Sequence, residues 1–168
     1  MEQATKISVL VLMGSDSDAP IMQGCVDLLR ELGVACEMTV ASAHRSPARV
    51  HRLLAEAPSR GVQVFVVGAG AAAHLAGMVA AHTARPVIGV PIDSSALKGL
   101  DALLSTVQMP PGVPVATVSI GKPGATNAAV LAAQILALAD PALAERLDRY
   151  KARLAEKVEQ AAAKLAQP

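Results

Sequence analysis

Five times along this chain of 168 residues a short apolar run rich in β-branched residues gives way to a helical pattern. That alternation is the mark of βαβ units and so of a parallel sheet. The strands read from it are Ile7 to Met13, Cys36 to Val40, Gln63 to Gly68, Val87 to Val90 and Val115 to Ser119. They are continuous apolar runs rather than alternating ones, so helices must cover both sheet faces. The expected fold class is therefore α/β with a doubly wound parallel sheet. The first helix is signalled by Asp18 as N-cap with Pro20 just inside, and it stops at Gly33. A second starts at Ser46-Pro47, and others near Ala72, near Leu100 and at Ala125, the last running to Ala139. Asp140-Pro141 opens a long C-terminal helix, 141–167, with Leu143, Leu147, Tyr150, Leu154, Val158, Ala161 and Leu165 on one stripe. Such a stripe needs a surface, either on its own domain or on a neighbouring subunit. With no repeat or linker, residues 1–168 read as a single domain, 7–140 being the α/β core.

Composition removes several function classes. Fifteen Lys and Arg against fourteen Asp and Glu leave a net charge of +1, without the basic cluster that a nucleic-acid partner needs. Phe65 and Tyr150 are the only aromatic residues, too few for a base-stacking platform. Cys25 and Cys36 form no CxxC pair and read as reduced thiols packed as small hydrophobes. The four histidines show neither HxxxH nor HExxH spacing, so no metal site is expected, and no G-x-S-x-G elbow occurs. His51 and His82 read as helix-surface residues. The apolar segment near the N-terminus is too short for a signal-peptide core, and the Gly- and Ala-rich run 65–81 is short and interrupted by His74. A cytoplasmic protein with no membrane partner is expected. At 52% hydrophobic and 17% charged residues, the chain has less polar surface than a small monomer usually shows, and a homo-oligomer is expected.

In an open parallel sheet ligands bind beyond the carboxyl ends of the strands, and three of the loops there are unusual. Gly14-Ser15-Asp16-Ser17-Asp18 could cradle a phosphate or ribose at a helix start, or simply cap that helix. Ser42-Ala43-His44-Arg45-Ser46-Pro47 joins a guanidinium that can grip a phosphate to an imidazole that titrates near neutrality; it could equally be an exposed pair before a helix. In Gly68 to Gly77 the small residues allow a ligand close to the backbone, and His74 is either a packed residue or part of a site. Gly68, Gly70 and Ala73 also match G-x-G-x-x-A, with Asp93 twenty residues on. That fingerprint belongs after a first strand, not a third. Asp93 and Gln108 to Gly112 could line the same crevice, the latter reading first as a rigid loop.

With MGSDSD at Met13 to Asp18, SAHRSP at Ser42 to Pro47, GAGAAAHLAGM at Gly68 to Met78, VQMPPGVPVATVSIG at Val107 to Gly121 and GATNAAVLAAQILA at Gly124 to Ala137, the chain resembles the 5-(carboxyamino)imidazole ribonucleotide mutases. These are the bacterial class of the phosphoribosylaminoimidazole carboxylase catalytic-subunit family. The resemblance spans about Val9 to Asp140. It implies a three-layer α/β/α sandwich of flavodoxin-like type, assembled as an octamer, and a cofactor-free isomerisation in purine biosynthesis. That reaction moves a carboxylate from the exocyclic nitrogen to ring C4 of the ribonucleotide substrate. By similarity His44 is the catalytic acid–base group; Ser15 and Arg45, with Ser42, hold the phosphate; and Asp18 holds the ribose. Ala43 joins the substrate contacts, while Gly70, Ala71, His74 and Leu75 enclose the carboxylate and any carbon dioxide released between two steps. Family members that carboxylate aminoimidazole ribonucleotide directly carry other residues where this chain has Ala73-His74-Leu75, so by resemblance His74-Leu75 favours the mutase branch.

The sequence departs from the family pattern at Ala19, where Trp is common, at Ala71, where Gly is common, and at Ala76, where Pro is common. Competing readings are a carboxylase that uses carbon dioxide directly, a non-catalytic flavin or dinucleotide binder, and an assembly protein whose terminal helix is the function. The lack of aromatics to cover an isoalloxazine ring counts against the flavin reading.

Overall fold

The computed structural model describes residues 6–166. Residues 1–5, part of the N-terminal reading, and residue 167 of the expected terminal helix lie outside the described residues. In chain order the elements are β1 (Val9–Met13), α1 (Ala19–Glu31), β2 (Cys36–Val40), α2 (Pro47–Glu56), β3 (Val64–Gly70), α3 (Leu75–Ala81), β4 (Val87–Ile92), α4 (Leu100–Val107), β5 (Ala116–Thr117), α5 (Gly121–Ala137) and α6 (Pro141–Leu165). A single 3-10 turn, Asp16–Asp18, precedes α1. All four strand pairings are parallel, in the order β2-β1-β3-β4-β5, which is the flavodoxin-like arrangement.

Because side chains alternate across a strand, each buried strand feeds two cores. Val9, Val11 and Met13 of β1, Val64 and Val66 of β3, and Ile88, Val90 and Ile92 of β4 pack against α1, α5 and the first turns of α6. Leu10, Leu12, Phe65, Val67 and Val87 point the other way, against α2, α3 and Ala102 of α4. The result is the three-layer sandwich, with β2 half-buried at one edge. Cys25 is fully buried on the inner face of α1, and burial pushes its thiol up to about 12, so it packs as a small hydrophobe.

Several boundaries differ from the expected ones. Strand β3 continues two residues past Gly68, because Ala69 and Gly70 still pair with Pro91 and Ile92. Strand β4 likewise runs through Pro91 to Ile92. Gly89 faces β5, its carbonyl accepting from the Val118 N–H, so Pro91 faces the same side. There β5 has paired only with Ile88 and Gly89, and a residue without an N–H loses nothing. Strands β1 and β5 are shorter than expected, and α3 begins at Leu75 rather than near Ala72. Helix α5 begins at Gly121, four residues before Ala125. Gly-Lys-Pro-Gly reads as a turn, yet Pro123 sits in the first helical turn, where its missing N–H would be unpaired anyway.

Helix α6 carries the expected stripe, but only its first half is covered. Leu143 and Leu147 are buried, whereas Leu154, Val158 and Leu165 are exposed, the last at 89%. Leu97, Leu100, Leu104 and Val107, in and just before α4, are also exposed.

Close packing makes two positions testable. A Cβ at Gly124 would stand 1.7 Å from the Ser119 carbonyl oxygen and 3.3 Å from Val90. Gly→Ala inside a helix ordinarily stabilises by about 0.5–1 kcal/mol. Here Gly124→Ala is expected to destabilise by about 2–3 kcal/mol through overpacking against backbone, read as a lower urea midpoint at unchanged m. Ala71 has φ of 50°, a left-handed conformation costing roughly 1–2 kcal/mol with a Cβ. Its side chain is exposed, so little packing offsets that strain. Ala71→Gly is expected to raise stability by up to about 1 kcal/mol, after the extra unfolded-chain entropy of glycine. A loss of stability in the same urea experiment would show that the methyl group is needed.

Candidate active site

Strands β2, β1 and β3 lie side by side and point the same way, so the three unusual loops leave the sheet together. The ladder continues one step into them: the Ala41 N–H donates to the Met13 carbonyl at 2.8 Å, and the Gly14 N–H to the Gly68 carbonyl at 3.1 Å. Between the loops lies a cleft of about 320 Å³, at the point where strand order reverses. Ser15, Asp18, Ser42, Ala43, His44, Arg45, Gly70, Ala71, His74 and Leu75 all line it. The structure therefore brings together the ten residues that the family resemblance assigns to the site.

The β1 loop is built differently from the expected N-cap. Asp18 is helical and makes no cap hydrogen bond to α1. Ser15 and Asp18 instead form a capping box around the 3-10 turn, with the Ser17 N–H donating to Ser15 Oγ and the Ser15 N–H to Asp18 Oδ2 at 3.2 Å. Asp18 is only 4% exposed. Burial pushes its carboxyl above the usual carboxylate value, while hydrogen bonds from Ser15 and Ser17 and the charge of Arg45 pull it back down. The carboxylate thus has few water contacts to lose when a ligand arrives.

The β2 loop is a closed turn. The Ser46 N–H donates to the Ser42 carbonyl at 3.0 Å and the Arg45 N–H to Ser42 Oγ at 3.1 Å. Ser46 precedes α2 at Pro47 as expected, yet its hydroxyl turns back to Ser42 rather than capping the helix. Arg45 crosses to the β1 loop, donating through Nη2 to the Gly14 carbonyl at 2.9 Å. Its exposed guanidinium therefore stands beside Ser15 and Ser17, a donor set suited to a phosphate.

On the β3 side, Gly70 passes so close to Ser94 that a Cβ would meet its Oγ at 1.9 Å. Ser105 of α4 ties the following turn down, its Oγ accepting from the Ala73 N–H at 3.1 Å while its own proton goes to the Asp101 carbonyl at 2.7 Å. This turn sets His74 opposite His44, with Nε2 of His44 2.7 Å from Nδ1 of His74. The cleft then has hydroxyls and a guanidinium from two loops, paired imidazoles, and small apolar walls from Ala69, Ala71 and Leu75.

Some sequence readings do not reach the site. Gly68 is a strand residue whose missing Cβ makes room for Met22, which accounts for the stray dinucleotide fingerprint by packing. Asp93 and Gln108 to Gly112 are not among the lining residues. Ser94, next after Asp93, is one, and applying the carboxyl-end rule to β4 would have found it. Ser17, a hydroxyl of the 14–18 loop that the resemblance does not assign a role, also lines the cleft. Ser105 carries no sequence signal, since only the packing of α4 brings it to the loop. Among the described residues, no group of three or more His, Cys, Asp or Glu side chains is placed to hold a metal ion, and no helix is long and apolar enough to cross a membrane.

Comparison with known proteins agrees in extent with this architecture. The family described as AIR carboxylase matches residues 8–157. The chain is 50% identical over 163 residues to the N5-carboxyaminoimidazole ribonucleotide mutase of Pyrococcus horikoshii, covering 97% of this chain and 91% of that one. It is 48% identical over 164 residues to the phosphoribosylaminoimidazole carboxylase of Candida glabrata, covering 98% of this chain but 28% of that longer protein. Among solved structures, Treponema denticola PurE superposes with a TM-score of 0.85 at 29% identity, over 95% of this chain and 98% of the other. The similarity runs through all five strands and each loop of the cleft, and the chain belongs to the AIR carboxylase family.

Proposed function

We propose that this protein is an isomerase of purine biosynthesis that converts 5-(carboxyamino)imidazole ribonucleotide to 4-carboxy-5-aminoimidazole ribonucleotide. The observation that carries the reading is the meeting of His44, Arg45, Ser15 and His74 in one cleft, together with relatives named as mutases at about half identity. Ser15, Ser42 and Arg45 bind the phosphate, and the buried Asp18 carboxylate accepts from the ribose hydroxyls. Ala43, Gly70, Ala71, His74 and Leu75 enclose the carboxylate end.

The chemistry balances within the site. The N–C bond to the carboxylate breaks, carbon dioxide is released, and the exocyclic nitrogen takes a proton from His44. Ring C4 then attacks the carbon dioxide and gives up its proton to His44, so no proton is consumed overall. Small apolar walls suit this sequence because they hold a neutral carbon dioxide beside the ring and offer water little. No metal, nucleotide or organic cofactor is needed. Neither aromatic residue lines the cleft, Phe65 being buried in β3 and Tyr150 lying on α6, which disfavours a flavin site. The exposed apolar faces of α4 and α6 support a homo-oligomer, an octamer by family resemblance, with the second half of α6 against a neighbouring subunit.

The test is a spectrophotometric assay on chelator-treated protein, with the carboxyamino ribonucleotide in one reaction and aminoimidazole ribonucleotide plus low bicarbonate in another. Turnover in the first alone is expected. Turnover only in the second would make the protein a direct carboxylase, and silence in both would remove the reading. His44→Asn is expected to lose on the order of 10²–10⁴-fold in kcat while calorimetry still detects ligand binding. Arg45→Ala is expected to weaken that binding by about 1.5–3 kcal/mol, the worth of hydrogen bonds to a charged group. Wild-type affinity in this variant would exclude the phosphate contact.

A further inference from the structure

Two imidazoles from different loops meet in the cleft, and the proposed proton cycle uses only one. His44 Nε2 lies 2.7 Å from His74 Nδ1, with ring planes at 89° and centroids 4.8 Å apart. At that separation one nitrogen must carry a proton and the other must not, since two lone pairs or two N–H groups facing each other would repel. Both rings stand on tied backbone. His44 belongs to the closed turn 42–46, and His74 follows Ala73, whose N–H is held by Ser105.

Counting protons narrows what the contact permits. A neutral pair keeps one N–H between the rings. Adding a proton leaves that N–H in place and turns the bond into a charge-assisted one. A second added proton would set two N–H groups against each other and break it. The pair can therefore hold one extra proton, or none, without the rings moving. If His44 gave its proton from Nε2, the contact would have to open first. If it gives the proton from Nδ1, Nε2–H stays on His74 throughout.

We infer that His74 is a positioning residue for His44: its Nδ1 accepts from His44 Nε2–H, fixes the tautomer, and leaves Nδ1 of His44 as the nitrogen that exchanges a proton with the substrate. The kinetic half of this inference rests on the isomerase reading; the hydrogen bond itself does not. In the cycle, doubly protonated His44 gives its Nδ1 proton to the exocyclic nitrogen. It becomes the Nε2–H tautomer, still bonded to His74, and recovers a proton at Nδ1 from C4. The second-ring hydrogen bond selects the reactive nitrogen, as outer partners commonly do for histidines.

The experiment uses full-length protein labelled with 15N-histidine, together with His74→Leu and His74→Asn. Asn places Oδ1 two bonds beyond Cβ, where the imidazole has Nδ1, and so keeps an acceptor. Magic-angle-spinning spectra of the wild type are expected to show a scalar coupling between His44 Nε2 and His74 Nδ1 across the hydrogen bond. His74→Leu is expected to lose about tenfold or more in kcat with KM changed less than about threefold, and His74→Asn to recover kcat to within about threefold of wild type. A missing coupling in the wild type would overturn the inference. So would wild-type kcat in His74→Leu, or a rise in KM alone in both variants, which would leave His74 with its carboxylate contact and no positioning role. If the wild-type protein fails to turn over the ribonucleotide, the isomerase reading and the kinetic role fall together, while the coupling still decides whether His74 holds His44.

Discussion

The parallel pairing of β1 with both β2 and β3 is the constraint from which the rest follows. Val9 is level with Cys36 on one side and Val64 on the other, and the register holds to Met13, Val40 and Gly68. Parallel strands end on the same edge; β1 and β2 end level with Gly68, and β3 runs two residues further. Residues 30 and 31 positions apart in the chain are thereby brought within hydrogen-bond reach of one another. The bond from Arg45 to the Gly14 carbonyl and the contact of His44 with His74 both cross between loops. The first depends on the pairing of β1 with β2, and the second on β1 holding β2 and β3 on its two sides.

Small residues let the three layers come close enough for this register to matter. Gly68 admits Met22 of α1, Gly89 admits Thr106 and Val115, and Gly124 lets α5 lie on the Ser119 carbonyl. Ala125, Ala128, Ala129, Ala132 and Ala133 give α5 a fully buried face without bulk. A core built from β-branched and alanine side chains at short spacing has little need of aromatics, which explains how a chain with one Phe and one Tyr fills two cores. Closeness also brings strain. Ala71 holds φ of 50° in a turn where the family commonly has glycine, and Ser105 ties that turn down from α4.

The site pairs rigidity with exposure. Asp18 is buried and hydrogen-bonded before any ligand arrives, so its orientation does not have to be established on binding. His44 and Arg45 remain exposed on a turn held by Ser42 and Ser46, which leaves them open to a ligand at fixed positions. His74 meets His44 from the opposite wall. Small apolar side chains on the β3 side, and hydroxyls, a carboxylate and a guanidinium on the other sides, give the cleft two chemically distinct regions.

Much of this was legible in the residues. Five apolar runs interrupted by helical patterns determined a parallel sheet covered on both faces, since a strand buried on two sides cannot alternate. The five co-ordered motifs pointed to the family and to ten lining residues, because loop chemistry survives as local sequence. Boundaries were less legible: β3 reaches Gly70 because β4 continues beside it, and α5 starts at Gly121 because a proline is harmless in a first turn. The conversion of Asp18 from an expected cap of α1 to the buried partner of the Ser15 N–H depended on the geometry of the 3-10 turn. Ser105 behind the loop and the His44–His74 hydrogen bond were decided by tertiary structure alone. Each depends on the distance between segments that only the strand order and the packing of α4 bring together, and such distances leave no periodicity or spacing in the chain.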